Sequence, residues 1–470
     1  MLNISALYTD LYQIAMAKVY FKSEQRDQKA VFDYYFRDLP YHGGYAIFAG
    51  LEELLQIITQ LRFSEDDLSF LKEQGFDDDF LHYLKEFKFS GNIRSCMEGD
   101  LVFPNRPILQ VEATLIEAQL IETLLLNMLN FQTLVATKAS RMRLVAGDAM
   151  LLDFGLRRAQ ATGGYFASRA ARIGGFDGTS NVIAAKDFDI QVSGTMAHSF
   201  IQSFDDEIEA FRSFAEGSPD NCVLLVDTYN TLKSGVPNAI QVAREMENRG
   251  EKLLAIRLDS GDLSYFAKES RKLLDDAGLD YVKIAASNQL DEFVIKSLLE
   301  QQAPIDIFGV GTNLVTGNPD AALDGVYKLS WSGGKPRIKI SESIIKVTLP
   351  HKKQVYRVKN SEGKCVGADV VGLDTEDHIS EMFHPFEPYK TMQIGDFPHE
   401  PLLQEVMIDG EINIPKRSLQ EIADYSLQRL SELPIEYKRF NNPHIYKIGI
   451  SKELKDLRDE LIQKSKNKIK

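Results

Sequence analysis

Between residues 150 and 312 the chain alternates short apolar runs with longer stretches of helical spacing. The runs lie at 150–154, 190–194, 222–226, 253–258, 281–286 and 305–310. Most begin about 30 residues apart, the interval that repeated strand–helix units need. This pattern predicts a parallel sheet, either a barrel or a doubly wound sheet. After 190–194, the acidic run Asp205-Asp206-Glu207 precedes Ile208, Phe211 and Phe214, and their spacing predicts an amphipathic helix.

On the N-terminal side the pattern is mixed. Leu7, Leu11, Ile14, Ala15, Val19 and Tyr20 predict a helix over 5–21, and residues 30–36 a strand before a turn at Gly43-Gly44. Residues 48–88 read as helical, broken near Gly75. Short strands follow over 91–112, punctuated by Gly99-Asp100, Pro104 and Pro107. Residues 117–145 predict one long helix with Leu120, Leu124, Leu125, Met128 and Leu129 on one side. Lys138, Arg141 and Arg143 lie near its C-terminus, where cations suit the helix dipole. Past 312 the alternation stops. A hairpin is expected at 327–331 and 336–340 around Ser332-Gly333-Gly334-Lys335, then strands at 344–348, 354–359 and 364–371. A charged, solvated helix begins at Lys452. The expected division is an N-terminal α+β domain over 1–140 and an α/β domain over 141–325. A β-rich segment with C-terminal helices over 326–470 partly completes the first domain.

The composition narrows the class. A chain of 470 residues exceeds one ordinary core, and 44% hydrophobic with 26% charged residues leaves no block to read as disordered. The net charge of −14 argues against a nucleic-acid surface while still allowing a local basic pocket. Cys96, Cys222 and Cys365 are odd in number and far apart, so neither a disulfide framework nor a cysteine metal cage is indicated. No run approaches the roughly 18 apolar residues of a membrane span, and no leader pattern opens the chain, so the expected location is cytoplasmic.

The chemistry sits where the apolar runs end. Gly155, Arg157 and Arg158 follow the first run, Thr195, His198 and Ser199 the second, and Asp227-Thr228 the third. Arg257 lies in the fourth and Asp259-Ser260-Gly261-Asp262 follow it. Ser287-Asn288 follow the fifth, and Gly309, Gly311 and Thr312 close the sixth. In parallel sheets these ends share one rim, which is where ligands bind. Each loop alone proves little, because such loops are generally polar; the six together indicate one composite active site. Arg157 and Arg257 offer forked donors for carboxylate or phosphate. The glycines at 309 and 311 let backbone amides approach an anion, although tight-turn packing explains them equally well. Asp227, Asp259 and Asp262 could hold Mg2+, orient a histidine or bind ribose hydroxyls, and helix capping suits Asp262 best. His198 can act as nucleophile or base. The set describes a site for a phosphorylated sugar and a small anion. His378, His384 and His399 match no metal-ligand spacing.

The segments Thr9-Asp10-Leu11-Tyr12-Gln13, Phe154-Gly155-Leu156-Arg157-Arg158, Gly194-Thr195-Met196-Ala197-His198-Ser199, Asp227-Thr228-Tyr229, Arg257-Leu258-Asp259-Ser260-Gly261-Asp262 and Phe308-Gly309-Val310-Gly311-Thr312 occur in this order. In this the chain resembles the nicotinate phosphoribosyltransferases, type II phosphoribosyltransferases, over nearly its whole length. The resemblance implies an irregular α/β barrel beside an N-terminal α+β domain. It implies the joining of nicotinate to 5-phosphoribosyl 1-pyrophosphate, with Mg2+ and with ATP hydrolysed through a phosphohistidine at His198, in NAD salvage. Phe154 and Tyr12 would sandwich the pyridine ring, Tyr12 coming from the second subunit of a homodimer with shared sites. Arg157, Thr195 and Ser199 would surround the substrates, and Arg257 and Asp259 would contact the sugar and pyrophosphate. Gly311 and Thr312 would take the 5-phosphate, with Gly309 also among the substrate-binding residues, and Asp227 would orient His198 or the metal. The nearest alternative is nicotinamide phosphoribosyltransferase; Arg157-Arg158 favours the acidic substrate. A quinolinate enzyme fits less well, and an inactive relative would lack rim residues that are all present here.

Overall fold

The alternating stretch forms a seven-stranded sheet in the computed structural model, which describes residues 4–341, 346–387 and 389–469. Its strands are β1 (Met150–Asp153), β2 (Gly178–Thr179), β3 (Gln191–Val192), β4 (Val223–Leu225), β5 (Ala255–Leu258), β6 (Lys283–Ser287) and β7 (Ile307–Val310). The order is β3-β2-β1-β7-β6-β5-β4, and every pair is parallel. Side chains alternate between two faces, as strand geometry demands. Leu151, Leu224, Ile256, Ile284 and Phe308 are fully buried. Residues 150, 152, 154, 255, 257, 283, 285, 307 and 309 line a cavity of about 410 Å3. That cavity is also lined by β3 and by Val223 of β4, the two ends of the strand order, so the sheet is curled.

Two of the strands differ from the hydrophobic pattern. β2 has two residues and no large apolar side chain, so periodicity passes over it. Its Gly178 is needed because a Cβ there would lie 2.8 Å from the Gln191 carbonyl oxygen. The run at 190–194 yields only the two residues of β3, both exposed.

By contact density the chain divides into two units, one of Val135–Ala321 with Ser418–Ala423 and one of the remainder. In the second unit, strands from both ends of the chain share a seven-stranded antiparallel sheet. Lys29–Phe36, Asn92–Ser95 and Leu109–Thr114 pair there with Gly325–Ser332 and Gln404–Ile408. A separate six-stranded sheet is built wholly from residues after 352, around Lys353–Lys359 and Cys365–Leu373.

Several boundaries move from their expected places. The first helix spans Leu11–Phe21, the residues before it forming turns. The long helix is split at Ile121 into Leu115–Leu120 and Glu122–Ala146. Lys138 and Arg141 are buried in ion pairs with the buried Glu292, so they do not face solvent at a helix end. Arg143 does cap the helix, donating to the carbonyls of Gly147 and Ala149. The hairpin's second arm is only Lys335–Pro336. Of the strand expected at 344–348, residues 344 and 345 lie outside the described ones and 346–348 are not strand. The last helix, Lys452–Ile469, is docked through the buried Leu454 and Arg458, the latter donating to the Pro385 carbonyl.

A buried charge network fastens the β-rich segment to the Gly99–Leu101 turn. Asp100 accepts from Arg357 at 2.7 Å and Arg429 at 2.9 Å. Asp369 pairs with Arg106 at 2.8 Å and Arg357 at 3.2 Å and accepts from the Tyr446 hydroxyl at 2.7 Å. Burial alone would raise Asp100, but Arg357 and Arg429 outweigh it and hold the carboxyl at about 2. A carboxyl lowered on folding stabilises the protein above its unfolded value and loses that contribution as the pH falls through the folded one. The acid limb of a stability–pH curve is therefore expected to slope between pH about 4 and about 2. Asp100→Asn should flatten that slope and lower stability at neutral pH, as denaturant titrations across this range would read.

Candidate active site

His198 opens a five-residue helix, His198–Gln202, just beyond β3. Because β3 is short and exposed, the core does not hold the loop that follows it except through the buried Met196. A side chain from β5 does. Arg257 donates from Nη1 to Thr195 Oγ1 at 2.6 Å and from Nη2 to the Met196 carbonyl at 3.2 Å. Burial pushes the Arg257 guanidinium down, Asp259 and Asp227 oppose this, and nearby Arg157 adds to it. The Nε of Arg257 is buried and has no hydrogen-bond partner among the described residues.

The His198 ring is framed on both sides. Nδ1 lies 3.0 Å from Thr228 Oγ1. Nε2 faces Asp259 Oδ2 at 3.8 Å, beyond hydrogen-bond reach. The other oxygen of Asp259 accepts the Ser287 hydroxyl. Asp227 makes no hydrogen bond to His198. Its Oδ2 accepts from the Asp259 amide at 2.9 Å and the Ser260 hydroxyl at 2.6 Å, so it sets the loop carrying Asp259. Its Oδ1 is buried and unpartnered. Asp262 caps the following helix, accepting from the Tyr265 amide at 3.0 Å.

Phe154 rests on a glycine shelf. A Cβ at Gly309 would lie 2.4 Å from its ring, so only glycine there leaves the ring its place. One residue earlier and on the opposite face, Asp153 is buried without a counter-cation. It accepts from the Gly155 amide at 2.8 Å, the Ser168 hydroxyl at 2.7 Å and the Thr179 hydroxyl at 2.8 Å. Burial raises its carboxyl above the ordinary value, and the three donors oppose that. The turn that Asp153 holds leads directly to Arg157 in the exposed turn Leu156–Arg158.

Gly311 and Thr312 lead into a four-residue helix, Thr312–Val315, after β7, and Ser199 is exposed in the first turn after His198. The parallel unit thus carries every site residue expected from the sequence except Tyr12. Tyr12 belongs to the other unit, half-exposed on the helix Leu11–Phe21 beside the exposed Leu11, and its hydroxyl accepts from Gln13 at 3.2 Å.

Asp153 escapes the sequence reading, and Thr228 and Ser287, noted there only among the polar residues of the rim, receive their roles from the structure. Thr228 and Ser287 stand at strand ends, where their position is the available signal, but their partners depend on strand register. Asp153 sits inside an apolar run, and only a carboxylate in such a run hints at a buried acceptor.

Family models match most of the chain. They are the nicotinate phosphoribosyltransferase (NAPRTase) N-terminal domain over residues 7–130, the nicotinate phosphoribosyltransferase (NAPRTase) family over 149–362, and the corresponding C-terminal domain over 352–458. The nicotinate phosphoribosyltransferase of Bacillus subtilis is 43% identical over 474 residues, covering 99% of this chain and 96% of its own. That of Rattus norvegicus is 33% identical, with 97% of each chain covered. The crystal structure of human nicotinic acid phosphoribosyltransferase aligns with a TM-score of 0.86 at 31% identity, covering 97% of this chain and 99% of its own.

Removing a buried acceptor strands its donors, whereas trimming an exposed cation costs little. Asp153→Ala is expected to lower unfolding free energy by about 1–3 kcal/mol. Arg157→Ala should stay within about 0.5 kcal/mol of the parent. Urea unfolding of the two variants checks the contrast.

Proposed function

The chain belongs to the nicotinate phosphoribosyltransferase family, and from that premise we propose that it joins nicotinate to 5-phosphoribosyl 1-pyrophosphate, with ATP hydrolysis coupled through phosphorylation of His198. The products are nicotinate mononucleotide and pyrophosphate, as NAD salvage requires. The observation that carries the reading is the frame around His198: Thr228 on one nitrogen, Asp259 facing the other, and Arg257 clamping the loop.

Phe154 on its glycine shelf offers a flat apolar face for the pyridine ring, and the exposed Arg157 nearby supplies a cation for the carboxylate. Tyr12 supplies the opposite face from the second subunit of a homodimer. Its exposure beside Leu11 and Val19 on one short helix supports an interface there. Thr195 and Ser199 lie around the nicotinate and phosphoribosyl groups. Arg257 and Asp259 contact the sugar and its pyrophosphate, and Gly309, Gly311 and Thr312 receive the 5-phosphate through close backbone approach. The curled sheet is then the wall of an irregular barrel. That barrel spans 141–325, and the N-terminal domain over 1–140 is partly completed by the segment over 326–470.

Mg2+ prefers oxygen donors, and the Oδ1 of Asp227, buried and unpartnered among the described residues, is such a donor on the carboxylate that holds the Asp259 amide. These two residues would hold it, and when bound it would neutralise the charge of the pyrophosphate. Departure of pyrophosphate leaves positive charge on the ribosyl ring, and Arg257 stabilises the negative leaving group. The three cysteines are free and buried, which suits a reducing cytoplasm. Among the described residues no helix is long and apolar enough to cross a membrane.

Nucleotide formation is to be measured with nicotinate, nicotinamide or quinolinate, each with phosphoribosyl pyrophosphate and Mg2+, with and without ATP. Nicotinate-selective product stimulated by ATP is expected, and His198→Ala should abolish the stimulation. Product from nicotinamide alone would move the assignment to nicotinamide phosphoribosyl transfer.

A further inference from the structure

His198 has two ring nitrogens, and phosphorylation can use only one that carries a free electron pair. Their surroundings are unequal. Nδ1 is at hydrogen-bond distance from Thr228 Oγ1, 3.0 Å. Among the described residues Nε2 has no hydrogen-bond partner, and its neighbour Asp259 Oδ2 stands at 3.8 Å. That gap is held open from behind. The Asp259 amide is tied to Asp227, and its second carboxylate oxygen is tied to Ser287, which is 4% exposed. Thr228 is fixed as well, because it directly follows Asp227 and its branched Cβ restricts χ1. Contacts therefore run in a closed ring from His198 through Thr228, the adjoining Asp227 and Asp259 back to His198.

Resting on the phosphohistidine reading above, we infer that Thr228 is a positioning residue that accepts a hydrogen bond from Nδ1–H and so presents Nε2 as the nitrogen that takes the phosphoryl group. The Nε2 electron pair attacks the γ-phosphorus of the nucleoside triphosphate. An N–P bond forms, the bond from that phosphorus to the bridging oxygen breaks, and the nucleoside diphosphate leaves with the electron pair. The ring becomes cationic, so Nδ1–H turns into a charged donor and its bond to Thr228 strengthens as the step proceeds. Water attack on phosphorus later releases phosphate and returns the neutral ring, still protonated at Nδ1. With the opposite tautomer, the proton on Nε2 would block this step and Nδ1 would be screened by the threonine.

The test combines a direct observation with substitutions. The full-length enzyme is labelled with 15N-histidine, and the His198 signals are assigned by their loss in His198→Ala. The expected spectrum of the parent shows a protonated Nδ1 and a pyridine-like Nε2. Thr228→Val keeps the side-chain shape without the hydroxyl. It should mix the tautomers and cut ATP-dependent stimulation by about 10- to 100-fold, the worth of a hydrogen bond to a charged group. KM for nicotinate should stay within about twofold, since ground-state binding is untouched. Thr228→Ser should restore the stimulation. A protonated Nε2 in the parent, full stimulation in Thr228→Val, or equal loss in Thr228→Ser would each overturn the inference. The tautomer of the parent decides the matter even if a variant folds poorly. A parent that ATP does not stimulate would count against phosphohistidine coupling, while the tautomer would still test the role of Thr228.

Discussion

Parallel pairing is the constraint from which the site follows. When all strands of a sheet run one way, every carboxyl end emerges at one edge, whatever separates the strands in sequence. Pairing of Arg257 with Ala285 and Leu258 with Ala286 brings Asp259 beside Ser287 across 28 residues of chain. Pairing of Ser287 with Gly309 sets the glycine shelf beside them. The side-chain alternation then matters as much as the order. Residues 255 and 257 line the cavity, and 259 continues their parity, so the acidic group arrives at the inner rim without a special turn. A slip of one residue in any of these ladders would turn the functional side chains toward the helices.

The other unit solves a different problem. Its seven-stranded sheet combines strands from both ends of the chain, and the covalent path between them passes through the whole parallel unit. Arg106, Arg357 and Arg429 interlock there with Asp100 and Asp369 out of water. Such a network tolerates few alternative pairings, because any misplaced strand leaves a charge buried without a partner. It specifies which segments meet more than it adds to net stability.

How much of this could be read from the sequence depended on burial. The apolar runs that became β1 and β4–β7 were legible because both faces of those strands are covered, which keeps their sequence hydrophobic. β2, two residues without a large apolar side chain, carries no such signature, and the run read at 190–194 shrinks to the two exposed residues of the edge strand β3. The six-stranded sheet was legible only at 354–359 and 364–371; strands such as Glu381–Phe383 and Thr391–Gln393 are short and carry polar residues, and the helix Leu419–Glu432 went unread. Among site residues, Arg257 was visible as a cation in a strand, yet its engagement of Thr195 and Met196 depends on a loop whose course no local pattern gives. Asp227 was visible as an acid after an apolar run and was expected to orient His198 or the metal, but register assigns one of its carboxylate oxygens to the Asp259 amide on the neighbouring strand end, while Thr228 meets the histidine. The frame of Thr228 and Ser287 is a property of neighbouring strands and of no single segment.

The shortness of β3 has a consequence for how the molecule comes apart. The span that carries Thr195 toward His198 is anchored by the buried Ile190 and Met196, while Gln191 and Val192 between them are already in water. Opening this span between its two anchors would uncover little apolar surface beyond Met196 itself, and the sensitivity of an opening to urea scales with the surface it uncovers. Its amide protons would exchange with solvent at a rate nearly indifferent to denaturant, while those of β5 and β6 would follow the global unfolding of their unit. The segment leading to the proposed phosphoryl acceptor is thus ordered by a few polar contacts and one apolar anchor, Met196, and can loosen or tighten without disturbing the sheet that presents it.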